Sequence, residues 1–173
     1  MAYTGSSGGI ENYMKGLKEF NVSINKEIEK LKYNGLCGLI RSAALLRHET
    51  EHSYPATPRK LGNLVASWFV VTAKSIHAGK TPTFKGPDVG QFQIDHSDAL
   101  AEKRAEATAN SSAERKMLIM GYSANYAGYI HESLIARKFT PRKPRANIKW
   151  FEYHFKANKD KILQIIAKEV KIP

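Results

Sequence analysis

The sequence predicts an α+β domain: a small antiparallel sheet packed by a long N-terminal helix and a C-terminal helix, with a long insertion between the strands. Two observations at the chain's ends and one in its middle predict it. Apolar residues recur at helical spacing between Ser23 and His52 and again between Ile148 and Val170. Between them lie two short apolar runs, Leu64–Lys74 and Lys116–Ser123, with strand composition. Helices outside and strands inside leave the strands to pair with each other and the helices to cover them.

Each element follows from its residues. Residues 1–9 contain three Gly among mostly small polar side chains, too little apolar surface to offset the entropy of ordering, and read as a flexible arm. A single α+β domain is expected over 10–173. The first helix places Ile24, Ile28, Leu31, Leu39, Ala43 and Leu46 on one face, with Ser23 as N-cap and Glu27 in the first turn. Gly35 and Gly38 each cost up to about 1 kcal/mol inside a helix, so they predict a kink or the close approach of another backbone. Pro55 and Pro58 end the helix. The Val, Trp, Phe and Thr content of Leu64–Lys74 fits a buried strand. The insertion, 75–115, starts as a Gly- and Pro-containing loop and turns Ala-rich and charge-mixed from Asp98 to Glu114, an exposed helix or disorder. After the second strand come a short helix over Asn125–Glu132, a basic Pro-containing loop over Ser133–Asn147, and one terminal helix whose apolar face is Phe151, Phe155, Ile162, Ile165, Ile166 and Val170.

The 173 residues carry 27 Lys and Arg against 16 Asp and Glu, a formal charge of +11. Residues 117–173 hold eleven cations against four acids, or +7, so the excess lies at the C-terminal end. The longest apolar stretch is broken by Ser67 and falls short of the roughly 20 residues needed to cross a bilayer. Residues 1–9 lack the basic and apolar segments of a secretory signal, so a cytoplasmic chain is expected. The single Cys37 excludes an internal disulfide and a thiolate-rich zinc site, and its neighbours Leu36, Leu39 and Ile40 predict a small buried hydrophobe.

Three clusters bear on chemistry. His48-Glu49-Thr50-Glu51-His52 has H-E-x-x-H spacing, which on a helix sets two imidazoles on one face with a carboxylate beside them. A zinc hydrolase would need a third ligand and Glu49 as the base for a metal-bound water. Pro55 just beyond, and no further His at the extended spacing, favour a solvated last helical turn instead. Arg137, Lys138, Arg142, Lys143, Arg145 and Lys149 put six cations in thirteen residues with no acid among them. Phosphate contacts need only positive charge at a suitable distance, and Pro141 and Pro144 hold such a loop extended. The alternatives are an ordinary solvated loop and one that pairs with an acidic neighbouring subunit. Tyr126 and Tyr129 lie three apart, so on a short helix both anchor it to the sheet. His131 and Glu132 form an acid–base pair in sequence with no nucleophile or Gly-rich turn nearby. No P-loop, dinucleotide fingerprint, G-x-S-x-G or paired cysteine occurs, and no enzymatic activity or cofactor is expected.

Four ordered segments carry a family resemblance. They are Gly16-Leu17-Lys18-Glu19-Phe20; Pro58-Arg59-Lys60-Leu61-Gly62-Asn63-Leu64 followed by Ser67; Met120-Gly121-Tyr122 with Tyr126-Ala127-Gly128-Tyr129-Ile130-His131-Glu132; and Lys149-Trp150-Phe151-Glu152. In this order the chain resembles the tail-completion or neck proteins of long-tailed bacteriophages, also labelled minor capsid or head-tail joining proteins. The resemblance implies a structural virion protein, made in the host cytoplasm and placed where the capsid portal meets the tail. It implies a homo-oligomeric ring, six-fold or twelve-fold, joined to portal or adaptor proteins and to tail terminator or tail tube proteins, with DNA passing through the lumen and no membrane partner. Pro58, Gly62, Leu64, Tyr126, Ala127, Tyr129, His131 and Glu132 are the positions that match its structural motifs. Two other readings stand beside it: a cytoplasmic DNA-binding module resting on the +11 charge, and a zinc-dependent peptidase built on His48, Glu49 and His52.

Overall fold

The computed structural model describes residues 7–75, 82–112, 115–132 and 149–171. Its elements in order are α1 (Ser7–His52), α2 (Asn63–Ala66), β1 (Trp68–Thr72), α3 (Val89–Asn110), β2 (Leu118–Tyr122), α4 (Ala127–His131), α5 (Trp150–Ala157) and α6 (Lys159–Val170). The architecture is mixed helix and sheet, as the sequence predicts. Strands β1 and β2 pair antiparallel, with Trp68 opposite Tyr122 and Thr72 opposite Leu118. All five residues of β1 are buried. That requires cover on both faces: α1 packs on the sheet from one direction, and α3 contacts both strands.

Helix α1 is longer than the periodicity predicts. Its 46 residues span roughly 70 Å at 1.5 Å per residue, and Ser23 lies inside it rather than capping it. Ser7–Gly9, expected in the arm, are already helical; residues 1–6 lie outside the described part. The far end stops at His52, ahead of Pro55, as expected.

Gly38 explains how α1 and α6 come together. A Cβ on it would lie 2.8 Å from the Ile166 Cα, a distance that real Cβ atoms do not adopt, so only glycine allows this backbone approach. At Gly35 the same test meets only Val170 Cγ2 at 3.8 Å, an ordinary contact. Gly38 therefore sets the approach and Gly35 merely permits it. Arg41 on α1 pairs with Glu169 on α6 at the rim of this seam.

Four further differences have local causes. The expected strand over Leu64–Lys74 starts as the single turn α2, because Gly62 at φ 93° redirects the chain and Ser67 N–H then bonds back to Asn63 O at 2.9 Å. The insertion is more structured than expected: α3 starts at Val89, nine residues before Asp98, and buries His96 and Ala107 against the sheet. The terminal helix is two helices broken at buried Asn158, whose side-chain Nδ2 donates to His154 O at 2.9 Å while its backbone carbonyl accepts from Ile162 N–H at 2.9 Å. On α5 the buried side chains are Trp150 and His154, and Phe155, expected on the apolar face, is exposed. Cys37 is half-buried rather than buried.

The core has two linked clusters. Ala43, Trp68 and Val70 pack with Leu118, Met120, Tyr122 and Phe151. Leu64, Ala124, Ala127 and Trp150 pack with Tyr122, Tyr126, Ile130 and Phe151. Tyr122 and Phe151 belong to both, so α5 is tied to the sheet and to α4 at once.

Candidate functional site

Three of the four resembling segments converge where β2, α4 and α5 meet, while the first, residues 16–20, lies on the outer part of α1 with Leu17 and Phe20 exposed. Pro58 is buried, Gly62 adopts the left-handed conformation the turn requires, and Leu64 enters the core beside Trp150. Asn63 in the same turn exchanges two hydrogen bonds with the Lys85 backbone, Nδ2 to O at 2.8 Å and N to Oδ1 at 2.9 Å. Tyr122 sits between the elements. Its hydroxyl donates to Thr50 Oγ1 at 3.3 Å and lies 3.0 Å from Thr57 Oγ1, while burial pushes its pKa up against the lowering effect of those hydroxyls.

Around Tyr122 lies a shallow cavity of about 230 Å³, lined by Met120, Gly121, Ala127, His131, Trp150 and Phe151 among others. Its wall offers aromatic edges and apolar contact. His131 stands edge-on to Trp150 with ring centroids 4.8 Å apart and donates from Nδ1 to Glu132 Oε1 at 2.6 Å. Among the described residues the buried Nε2 of His131 has no hydrogen-bond partner. Glu132 also accepts from Lys149 Nζ at 3.2 Å, and Lys149 in turn reaches Glu152 Oε2 at 3.2 Å. The His131 hydrogen bond first, then the lysine, holds the Glu132 carboxyl below its ordinary range; Lys149 is raised by the same two carboxylates. The ion pairs are solvent-exposed and fix orientation more than they add stability. With the Lys149 N–H bonded to His131 O at 3.0 Å, they clamp the end of α4 to the start of α5.

Ala127 is buried and Tyr126 half-buried, edge-on to Phe92 of α3 with centroids 6.2 Å apart. Tyr129 does not join it: it is 66% exposed, because a five-residue helix presents only one narrow face inward. Of the six cations singled out in sequence, only Lys149 is described, at φ 52° directly before α5 and held by two carboxylates. Arg137, Lys138, Arg142, Lys143 and Arg145 lie outside the described residues.

The H-E-x-x-H segment forms the last turn of α1. His48 and His52 stack with centroids 4.5 Å apart, and His52 Nδ1 bonds His48 O at 2.9 Å. Glu49, the residue a zinc hydrolase would use as base, accepts from Ser53 Oγ at 2.6 Å, and Glu51 is held by Arg47 and Arg59. Among the described residues no three His, Cys, Asp or Glu side chains gather as a metal site would need. No described helix is long and apolar enough to cross a membrane.

The chain matches no family model, no curated protein and no solved structure.

Two surfaces escaped the sequence reading. On α1, Leu17, Phe20, Val22, Ile24 and Ile28 are all exposed, Phe20 at 60% and Val22 at 69%. On α3, Ile94 is exposed among Asp98, Ala101, Glu102 and Ala105. The α1 periodicity is legible as an apolar face; that this face is exposed from Leu17 to Ile28 is not.

Proposed function

We propose that this chain is a structural subunit of a bacteriophage neck, a non-enzymatic ring component that joins the portal side of the head to the tail and lets DNA through. One observation carries the reading beyond the sequence resemblance: on the 46-residue helix α1, Leu17, Phe20, Val22, Ile24 and Ile28 hold large apolar side chains in solvent. A lone chain gains nothing from holding such a surface in water, whereas a chain that works in copies uses it as a contact. The clamp at Glu132, Lys149 and Glu152 supports the same reading, since it holds together the two residues that flank the cationic stretch in sequence. A lumen that passes DNA, or an acidic neighbouring ring, is the counterpart such charge suits.

Quantitative mass measurement of purified particles tests it. The expected result is a small fixed copy number per virion, a multiple of six; absence from intact particles overturns the proposal. The +11 charge also supports the DNA-binding reading. That reading requires duplex binding by the isolated chain which weakens steeply with salt, and flat, negligible binding at low salt removes it.

A further inference from the structure

The sheet has two strands, so each has a second edge. Ser123 N–H bonds Ser67 O at 2.9 Å, and in the antiparallel register this makes Phe69 with Gly121 and Val71 with Ile119 the hydrogen-bonded pairs. Met120 and Tyr122 then aim their backbone N–H and C=O groups away from β1. On the outer edge of β1, Thr72 N–H is taken up by Ser75 O at 2.8 Å. Among the described residues, no hydrogen bond reaches the outward backbone groups of Met120 or Tyr122.

The cavity around Tyr122 lies on that edge. It touches Met120, Gly121 and Tyr122 in a row but no residue of β1, and since successive strand residues face opposite sides, a space that meets all three runs beside the strand. Ala127, Trp150 and Phe151 make its outer wall apolar. Its volume of about 230 Å³ suits one large side chain and falls short of the ~300 to 1,000 Å³ of pockets that hold whole small molecules. An unpaired strand edge with a side-chain pocket beside it is the arrangement that receives an extended peptide as an extra strand. Charge selects the kind of peptide. Residues 123–158, which supply the α4 and α5 walls, carry seven cations against two acids, a net +5. The two acids, Glu132 and Glu152, are already engaged by Lys149, with His131 and Lys156 alongside. An acidic strand complements that surplus.

We propose that the free edge of β2 binds an extended, acidic segment of a partner protein as a third strand, about 4.8 Å from β2, with one large apolar side chain in the cavity. Backbone hydrogen bonds to Met120 and Tyr122 hold the segment, and the pocket fixes its register. The site goes beyond the neck reading and does not rest on it: a strand of this chemistry is recognised whether or not the chain is counted in a particle.

The test uses the full chain, isotope-labelled for NMR, and a capped seven-residue probe, Glu-Thr-Val-Phe-Val-Thr-Glu. In the free protein the Met120 amide proton should exchange with solvent faster than that of Gly121, which lies in a bonded pair of the ladder. A Met120 amide already protected shows the edge closed by this chain itself and overturns the proposal. Probe in millimolar excess should shift and protect the amides of Met120 and Tyr122; no change at either overturns it. Two further probes carry N-methyl groups on alternate residues, in opposite phase. One phase should weaken binding at least about tenfold, as the loss of two backbone hydrogen bonds does, and the other should change it little; equal affinities overturn the strand mode. A probe with Lys in place of both Glu should bind more weakly at low salt, and equal binding overturns the acidic partner. Gly128→Leu fills the cavity from a helix position whose Cβ meets nothing within 4 Å, so the melting temperature should hold or rise while probe affinity falls at least about tenfold. Full affinity in folded Gly128→Leu overturns the pocket as the seat of the side chain.

Discussion

Residues 17–28 and residues 35–46 of α1 place apolar or small side chains at the same helical spacing, yet only the second set is covered. The covered set meets α6 at Gly35 and Gly38, and Ala43 and Leu46 are buried near the sheet. The outer set stays exposed and leaves Phe20 and Val22 in solvent. The comparison teaches that amphipathic periodicity specifies a face and says nothing about who covers it. A core residue and a contact residue share one sequence signature.

The sharpest way to break this contrast is to truncate each side. Trp68→Ala, at 2% exposure beside Ala43, should cost about 3 to 5 kcal/mol in denaturant unfolding, the range for large core truncations. Next comes the seam. Gly38→Val forces α1 and α6 apart and should cost about 1 to 3 kcal/mol as overpacking does, while Gly35→Ala, with room to spare, should be neutral or stabilise by up to about 1 kcal/mol. Equal effects at the two glycines would show that the close approach is misplaced. Tyr122→Phe removes a hydroxyl that bonds Thr50 and Thr57 and should cost about 1 kcal/mol, measured by the same unfolding midpoint.

His96 sharpens the comparison from the covered side, through pH. It is buried on α3 beside Phe84, its Nδ1 is 2.7 Å from Ser123 Oγ, and burial lowers its pKa below the ordinary value of 6.5. A depressed imidazole binds its proton more readily in the unfolded chain, so its contribution is complete above about pH 6.5 and is lost as pH falls from there toward its folded-state value. His96→Gln should flatten the decline of thermal stability between pH 7 and pH 5; an unchanged slope would place the titration elsewhere. The smallest effect is expected on the uncovered side. Phe20→Ser should move the unfolding free energy of the dilute single chain by less than about 0.5 kcal/mol, despite removing a large aromatic ring. A loss of core size would mean that the stripe is covered within its own chain.

Several elements were legible in the residues. Trp68–Thr72 and Leu118–Tyr122 fall within the two runs read as strands, and the backbone approach expected near Gly35 and Gly38 occurs at Gly38. The candidate site was legible only in part. Tyr126, Ala127 and Leu64 pack as their types suggest, whereas Trp150 and His96 became central through neighbours distant in sequence. The first nine residues of α3 read as loop because Gly90 and its polar neighbours carry weak helical preference. Packing on the sheet overrides that preference, with Phe92 stacked on Phe84 at 5.6 Å.

By itself the sequence determined the class of the fold, the two strands and the apolar stripes of the helices, because these follow from periodicity within a few residues. The tertiary structure alone decided which half of α1 is covered, where the terminal helix breaks, and that Lys149 is clamped between Glu132 and Glu152. Those outcomes depend on contacts between residues far apart in the chain, and no local pattern encodes whether a distant element will arrive to fill them.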